Sequence, residues 1–170
     1  MQIGELTVIA WHETGHAVVA RAMGVPVECV SIKGRRPVTR YGRARSPEEG
    51  VWITLAARVI VLELTGSPEL ADYGADGDSE ALESFLRGFS THSERERVME
   101  EVQTGLPDLV RSNEPAIKKV AQELLKREKL SRRELYHLLK DLLVRKVSEP
   151  FHLRLLSWVR RLVGRDLGCD

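Results

Sequence analysis

This sequence of 170 residues gives no indication of a disulfide framework, a membrane span or a signal peptide. Its two cysteines, Cys29 and Cys169, are too few and too scattered for a disulfide scaffold, which is typical of a reducing compartment, so we expect a cytoplasmic protein. The longest apolar stretch, residues 51–64, is shorter than the roughly 20 residues that span a bilayer, and it contains Arg58. Polar and charged residues interrupt the N-terminal segment, so it does not have the pattern of a signal peptide.

The sequence also has no large excess of charge of either sign. The 26 basic and 25 acidic residues leave a formal net charge of +1, which gives no argument for nucleic-acid binding. The G-x-x-x-x-G-K-[ST] phosphate loop is absent, so we expect that the chain cannot use ATP by itself. With 42% apolar residues and no internal repeat, the sequence predicts a single domain around one hydrophobic core.

The most informative segment that is present is His12-Glu13-Thr14-Gly15-His16, an H-E-x-x-H pattern with apolar flanks. On a helix, His12 and His16 lie one turn apart on the same face, where two imidazoles can share one tetrahedral Zn²⁺. Glu13 lies about 100° around the helix, so it suits a general base that takes a proton from water activated by the metal. The alternative interpretation is a buried amphipathic helix with two polar residues on one face.

A catalytic zinc site of this kind needs a third protein ligand, and the sequence offers two acidic candidates. Glu63 lies in the apolar stretch 51–64, where an acid is costly to bury unless it is paired or bound to a metal. Asp78 lies in a glycine-rich turn before a helical pattern, where its ordinary role would be in a turn or a helix cap. The chemistry of the two residues leaves both candidates open.

The hydrophobic pattern predicts a mainly helical (α+β) fold with a small two- or three-stranded β element beside the metal-binding helix. Strands are predicted at residues 25–32 and 38–45. Helices are predicted at residues 5–23, from Ser46 onward, and at residues 78–88, 93–104, 107–127 and 131–144. We expect one domain, 1–170, with a metal-binding part (1–90), a helical part (91–148) and an amphipathic C-terminal helix (149–170). That last helix would pack on the core or on another subunit in preference to a membrane surface.

Several segments together resemble the peptidase domain of FtsH-type zinc metalloproteases over residues 5–140. Residues 12–20 resemble its H-E-A-G-H-A segment, and the later matches follow in the same order: residues 55–59 with L-x-G-R-x, 74–78 with G-A-x-x-D, and 121–130 with A-x-x-L-L-x-x-E-x-L. The resemblance implies a helical, zincin-like metallopeptidase domain. It also implies that His12, His16 and Asp78 bind Zn²⁺, that Glu13 is the catalytic base, and that Glu63 is a partly exposed or ion-paired helix residue.

The sequence also differs from that family. Neither transmembrane helices nor an AAA ATPase module is indicated, and Val61 and Leu62 stand where the family has paired glutamates. We therefore expect a zinc-dependent endopeptidase that cleaves unfolded proteins or peptides without its own ATPase, alone or with a separate unfoldase, and that can assemble as a homo-oligomer. The alternative is a catalytically silent, metal-stabilised module that binds peptides or forms part of a complex.

The second strand, residues 38–45, is the predicted substrate-binding edge, because peptides can add as a further strand to an exposed sheet edge. Thr39 and Tyr41 are the candidate substrate-binding residues on it. The arginines around this strand would make the groove basic. The alternative is a solvated hairpin whose basic residues protect its edge from pairing.

Overall fold

The computed structural model describes residues 4–34, 37–73, 76–140 and 142. In chain order its elements are α1 (Glu5–Ala22), β1 (Val27–Ser31), β2 (Val38–Tyr41), α2 (Pro47–Thr65), α3 (Pro68–Ala71), α4 (Asp76–Leu86), α5 (His92–Arg127), β3 (Lys129–Ser131) and α6 (Arg132–Leu138). The mainly helical α+β class is thus confirmed. Within these ranges, no helix has both the length and the hydropathy needed to cross a bilayer. The predicted helix at 149–170 lies outside the described residues.

Helices α1 and α2 form the centre of the core. Every residue of α1 from His12 to Ala20 is buried, which marks a helix that is packed on all sides. Helix α2 begins where the sequence predicts: the Ser46 hydroxyl accepts a hydrogen bond from the Glu49 backbone N–H at 3.2 Å, and Pro47 occupies the first turn. Because this part of α1 is enclosed, a polar side chain on it is costly to bury unless it has a partner inside the protein.

One long helix, α5, replaces the two that the sequence predicts at 93–104 and 107–127, and that prediction is wrong. A proline inside a helix removes one backbone hydrogen bond and costs about 3 kcal/mol. The helix nevertheless continues through Pro107, and through a second proline, Pro115, because its apolar stripe extends on both sides of each. Most buried residues follow one another at intervals of three or four positions, and Val120 and Ala121 are adjacent; the set is Val98, Val102, Leu106, Val110, Asn113, Ile117, Val120, Ala121 and Leu124.

The three strands form one antiparallel sheet in the order β2-β1-β3. Both predicted strands are found at their predicted places, although β2 ends at Tyr41, four residues early. The third strand, β3, is not predicted from the sequence, and it follows a left-handed turn at Glu128 (φ 59°) that ends α5. In the described part of the chain β2 pairs only with β1, so its outer edge is unpaired.

Candidate metal centre

Three of the predicted site residues come together at one point. His12 and His16 lie on consecutive turns of α1, and their Nε2 atoms are 3.3 Å apart. Asp78, near the start of α4, approaches from the other side: its Oδ2 lies 3.2 Å from the Nε2 of His12 and 3.3 Å from that of His16. The two histidines are buried and the aspartate side chain is 27% exposed, so the cluster is reached from one side.

The triangle formed by these three atoms has the dimensions of a tetrahedral metal site. Two ligands that lie about 2.0–2.1 Å from Zn²⁺ at the tetrahedral angle are about 3.3 Å apart. The observed edges of 3.2, 3.3 and 3.3 Å match that separation on all three sides. These three residues could therefore hold a metal ion through one ligand atom each, with a fourth position left for another ligand.

The orientation of His16 is fixed from α2. Its Nδ1 lies 2.9 Å from the backbone carbonyl oxygen of Ile53, which can only accept a hydrogen bond. Nδ1 therefore carries a proton, and in the neutral imidazole the lone pair is on Nε2, facing His12 and Asp78. Metal-binding histidines are commonly held in this way. By contrast, the Nδ1 of His12 is buried and has no partner among the described residues.

The charges in the cluster favour a cation at its centre. Burial acts to raise the pKa of Asp78, but hydrogen bonds and charge interactions with His12 and His16 hold it well below the usual 3.8. Burial acts to lower the pKa of His16, yet Asp78, the Ile53 carbonyl and Glu13 together raise it above 6.5. In the metal-free protein the raised pKa of His16 favours its protonated form, and a bound metal would displace that proton.

Glu13 lies beside this cluster and is held from the sheet. Its side chain is buried, at 6% exposure, and the Thr39 hydroxyl oxygen on β2 lies 2.7 Å from its Oε2. The same hydroxyl oxygen lies 2.8 Å from the backbone carbonyl oxygen of Glu13. Strand β2 is thus joined to α1 at the residue predicted as the base.

The two predicted substrate-binding residues, Thr39 and Tyr41, are both half-buried and alternate along β2 with the exposed Val38 and Arg40. Tyr41 interacts electrostatically with Asp78 and Glu13. Its pKa is raised, first by burial and then by these two negative charges, so the phenol remains protonated as a donor. A cavity of about 820 Å³ adjoins Tyr41 at the end of β2, between the β2–α2 connection and Phe85 of α4.

Glu63, the other candidate third ligand, is not part of the cluster. Its carboxylate accepts a hydrogen bond from Arg111 of α5 at 2.8 Å, and its side chain is 25% exposed. Glu63 is thus ion-paired and partly exposed. Helix α4 carries Asp78 to the histidines, whereas α2 turns Glu63 toward α5.

Two features of the site have no signal in the sequence. The Ile53 carbonyl is a backbone group, so no residue type marks it. The Thr39 hydroxyl is typical of any strand, and only the packing of β2 on α1 brings it to Glu13. The sequence matches no model of a known protein family and no curated protein.

Proposed function

We propose that the chain is a zinc-dependent endopeptidase with a zincin-like site similar to that of FtsH-type peptidases. His12, His16 and Asp78 would hold Zn²⁺, and Glu13 would act as the general base. The observation that carries this proposal is the ligand triangle, whose three edges match a tetrahedral metal, with a buried carboxylate one residue along the helix. Two imidazoles and one carboxylate form a donor set that catalytic zinc sites use, and they leave a fourth position open.

When bound, the zinc ion would polarise the scissile carbonyl and lower the pKa of a water molecule to about 7. Glu13 would accept a proton from the attacking water and pass it to the amine that leaves. Its Oε2 contacts Thr39, which leaves Oε1 for the proton. The Ile53 carbonyl would keep His16 in the tautomer that presents its Nε2 lone pair.

Peptide substrates would bind along β2. The outer edge of this strand is unpaired within the described residues, and Thr39 and Tyr41 connect it to the site. Backbone hydrogen bonds to an added strand demand little of the substrate sequence, which suits unfolded proteins and peptides. The protonated Tyr41 hydroxyl is available as a donor beside the site, and the adjoining cavity of about 820 Å³ has room for substrate side chains. A separate unfoldase partner, a homo-oligomeric assembly and a cytoplasmic location belong to the same proposal.

Metal content tests the ligand set directly. We expect about one zinc per chain in the wild type and in Glu63→Gln, because Glu63 contacts Arg111 and lies outside the cluster. Asp78→Ala removes one of three ligand atoms and should lose most of the zinc. Zinc retained equally in both variants would exclude Asp78 as a ligand.

Cleavage tests the activity. Zinc-loaded wild type should cleave casein without ATP, and a chelator should stop it. Glu13→Gln keeps the size of the side chain and all three ligands but removes the base, so it should bind zinc normally and lose nearly all cleavage. A wild type that binds zinc yet cleaves no polypeptide would instead favour a silent, metal-stabilised binding module.

A further inference from the structure

The Thr39 hydroxyl is the only hydrogen-bond partner of the Glu13 side chain within the described residues. Its single proton faces two acceptors, the carboxylate Oε2 at 2.7 Å and the Glu13 carbonyl oxygen at 2.8 Å. Both acceptors belong to the same residue. The hydroxyl therefore holds the end of the Glu13 side chain against its own backbone, in one of the several rotamers that a glutamate can adopt.

Thr39 is also stiff. Threonine is branched at Cβ, which restricts its χ1 torsion, so the position of its hydroxyl follows the backbone of β2 closely. That backbone pairs with β1 on one side only and is unpaired on the other in the described part of the chain. A peptide that adds to the free edge would fix the strand from both sides.

We propose that Thr39 is a positioning residue that links peptide docking on β2 to the alignment of Glu13 for proton transfer. The inference rests on the proposed function, because it takes Glu13 as the base and β2 as the docking strand. Thr39 does not itself exchange a proton with the substrate. It acts by holding the carboxylate, so its loss should lower the rate of the chemical step more than it weakens peptide binding.

Three zinc-loaded variants separate these effects in steady-state kinetics with a peptide substrate. Thr39→Val keeps the shape and the β-branch but removes the hydroxyl, and we expect kcat to fall by about 10- to 100-fold, with KM changed less than about twofold. Thr39→Ser restores the hydroxyl without the stiffness and should recover part of kcat. Thr104→Val removes a comparable hydroxyl, which contacts the Glu100 carbonyl oxygen at 3.0 Å on α5, and should change neither constant.

A second readout does not depend on activity. In the metal-free protein, three-bond NMR couplings of Glu13 report how many χ1 rotamers its side chain samples. We expect one dominant rotamer in the wild type and averaging in Thr39→Val. The metal-free protein cannot cleave the peptide. Adding the peptide should narrow the distribution of Glu13 χ1 rotamers further in the wild type and leave these rotamers averaged in Thr39→Val.

The outcomes are distinguishable. A wild type that cleaves beside a Thr39→Val variant with unchanged kcat overturns the positioning role and leaves the proposed function intact. So do Glu13 rotamers that are the same in both proteins. If Thr39→Val raises KM and leaves kcat unchanged, Thr39 is a substrate contact, and this result also overturns the proposal. If the wild type cleaves nothing, the proposed function fails, and the role of Thr39 in catalysis fails with it.

Discussion

Replacing Gly15 with alanine tests how closely α1, which carries His12 and His16, must approach α2. A Cβ atom at Gly15 would lie 2.9 Å from the Cα of Ala57 and 3.1 Å from the carbonyl oxygen of Ala56. Both are backbone atoms of α2, so no side chain can rotate away to make room. The added methyl group can be accommodated only if the two helices move apart.

Two effects of opposite sign decide the magnitude. Alanine is better than glycine in a helix by about 1 kcal/mol, which favours the variant. Ordinary carbon–carbon contact is at about 3.5–4.0 Å, so the helices must separate by roughly 0.5–1 Å, and overpacking of this kind costs about 1–3 kcal/mol. We therefore expect a net destabilisation of about 1 kcal/mol, or about 2–4 °C in Tm for a domain of this size.

The same displacement should reach the metal. His16 is the next residue along α1, and its Nδ1 bonds to the Ile53 carbonyl of α2 at 2.9 Å. Lengthening this contact by about 0.5 Å takes it beyond normal hydrogen-bonding distance. Loss of such an outer contact typically lowers metal affinity by about 10- to 100-fold, so zinc affinity should fall although no ligand has changed.

Thermal unfolding in the presence of a chelator measures the first effect, and competition with a fluorescent zinc indicator measures the second. Gly77→Ala is the matched control. Gly77 precedes Asp78 in α4, is exposed, and a Cβ there meets no atom within 4 Å. Its Tm should stay the same or rise slightly, and its zinc affinity should not change. A Gly15→Ala protein that is more stable than the wild type and binds zinc as tightly would refute the close-approach reasoning.

Two further predictions concern pH and the long helix. Asp78 contributes stability above its unfolded pKa of 3.8 that is lost as pH falls through its lower folded value. His16 contributes stability below 6.5 that is lost as pH rises through its raised folded value. Urea unfolding should thus show metal-free stability declining above pH 6.5 while the stabilisation by added zinc grows, and the opposite trends would contradict the assigned charges. Pro107→Ala should restore a helical hydrogen bond in α5 and stabilise the protein by about 1–3 kcal/mol; an unchanged or lower Tm would contradict this prediction.

The placement of the two histidines on one face of α1 could be predicted because their geometry is local. Residues four apart on a helix share a face whatever the rest of the chain does, and the observed Nε2 atoms are 3.3 Å apart. The start of α2 could be predicted equally well, since Ser46 and Pro47 favour a helix start within a single turn. Features that span only one or two helical turns depend on neighbouring residues alone, so they can be predicted from the sequence.

Long-range choices could not be made from residue chemistry. Nothing in the carboxylates of Glu63 and Asp78 distinguishes them, and only the packing of α4 on α2 brings Asp78 to the histidines. Pro107 carries a strong local signal for a helix boundary, which burial of the α5 stripe on both sides overrides. Strand β3 is three residues long and forms by pairing with β1. A segment this short has no hydrophobic periodicity from which a strand could be predicted.

Helix α2 sets the geometry of the candidate metal site although it supplies none of the three candidate ligand side chains. The three side chains come from α1 and α4, and each of these helices packs against α2 at a glycine contact. Gly15 of α1 lies against the backbone of Ala57, and on the other side a methyl group at Gly50 would overlap the ring of Phe85 in α4. The triangle between His12, His16 and Asp78 therefore depends on two separations that α2 controls. Metal affinity should therefore respond to packing changes along α2 as well as to changes of the ligands themselves. This is why a substitution such as Gly15→Ala can test the site without replacing any of its three ligand side chains.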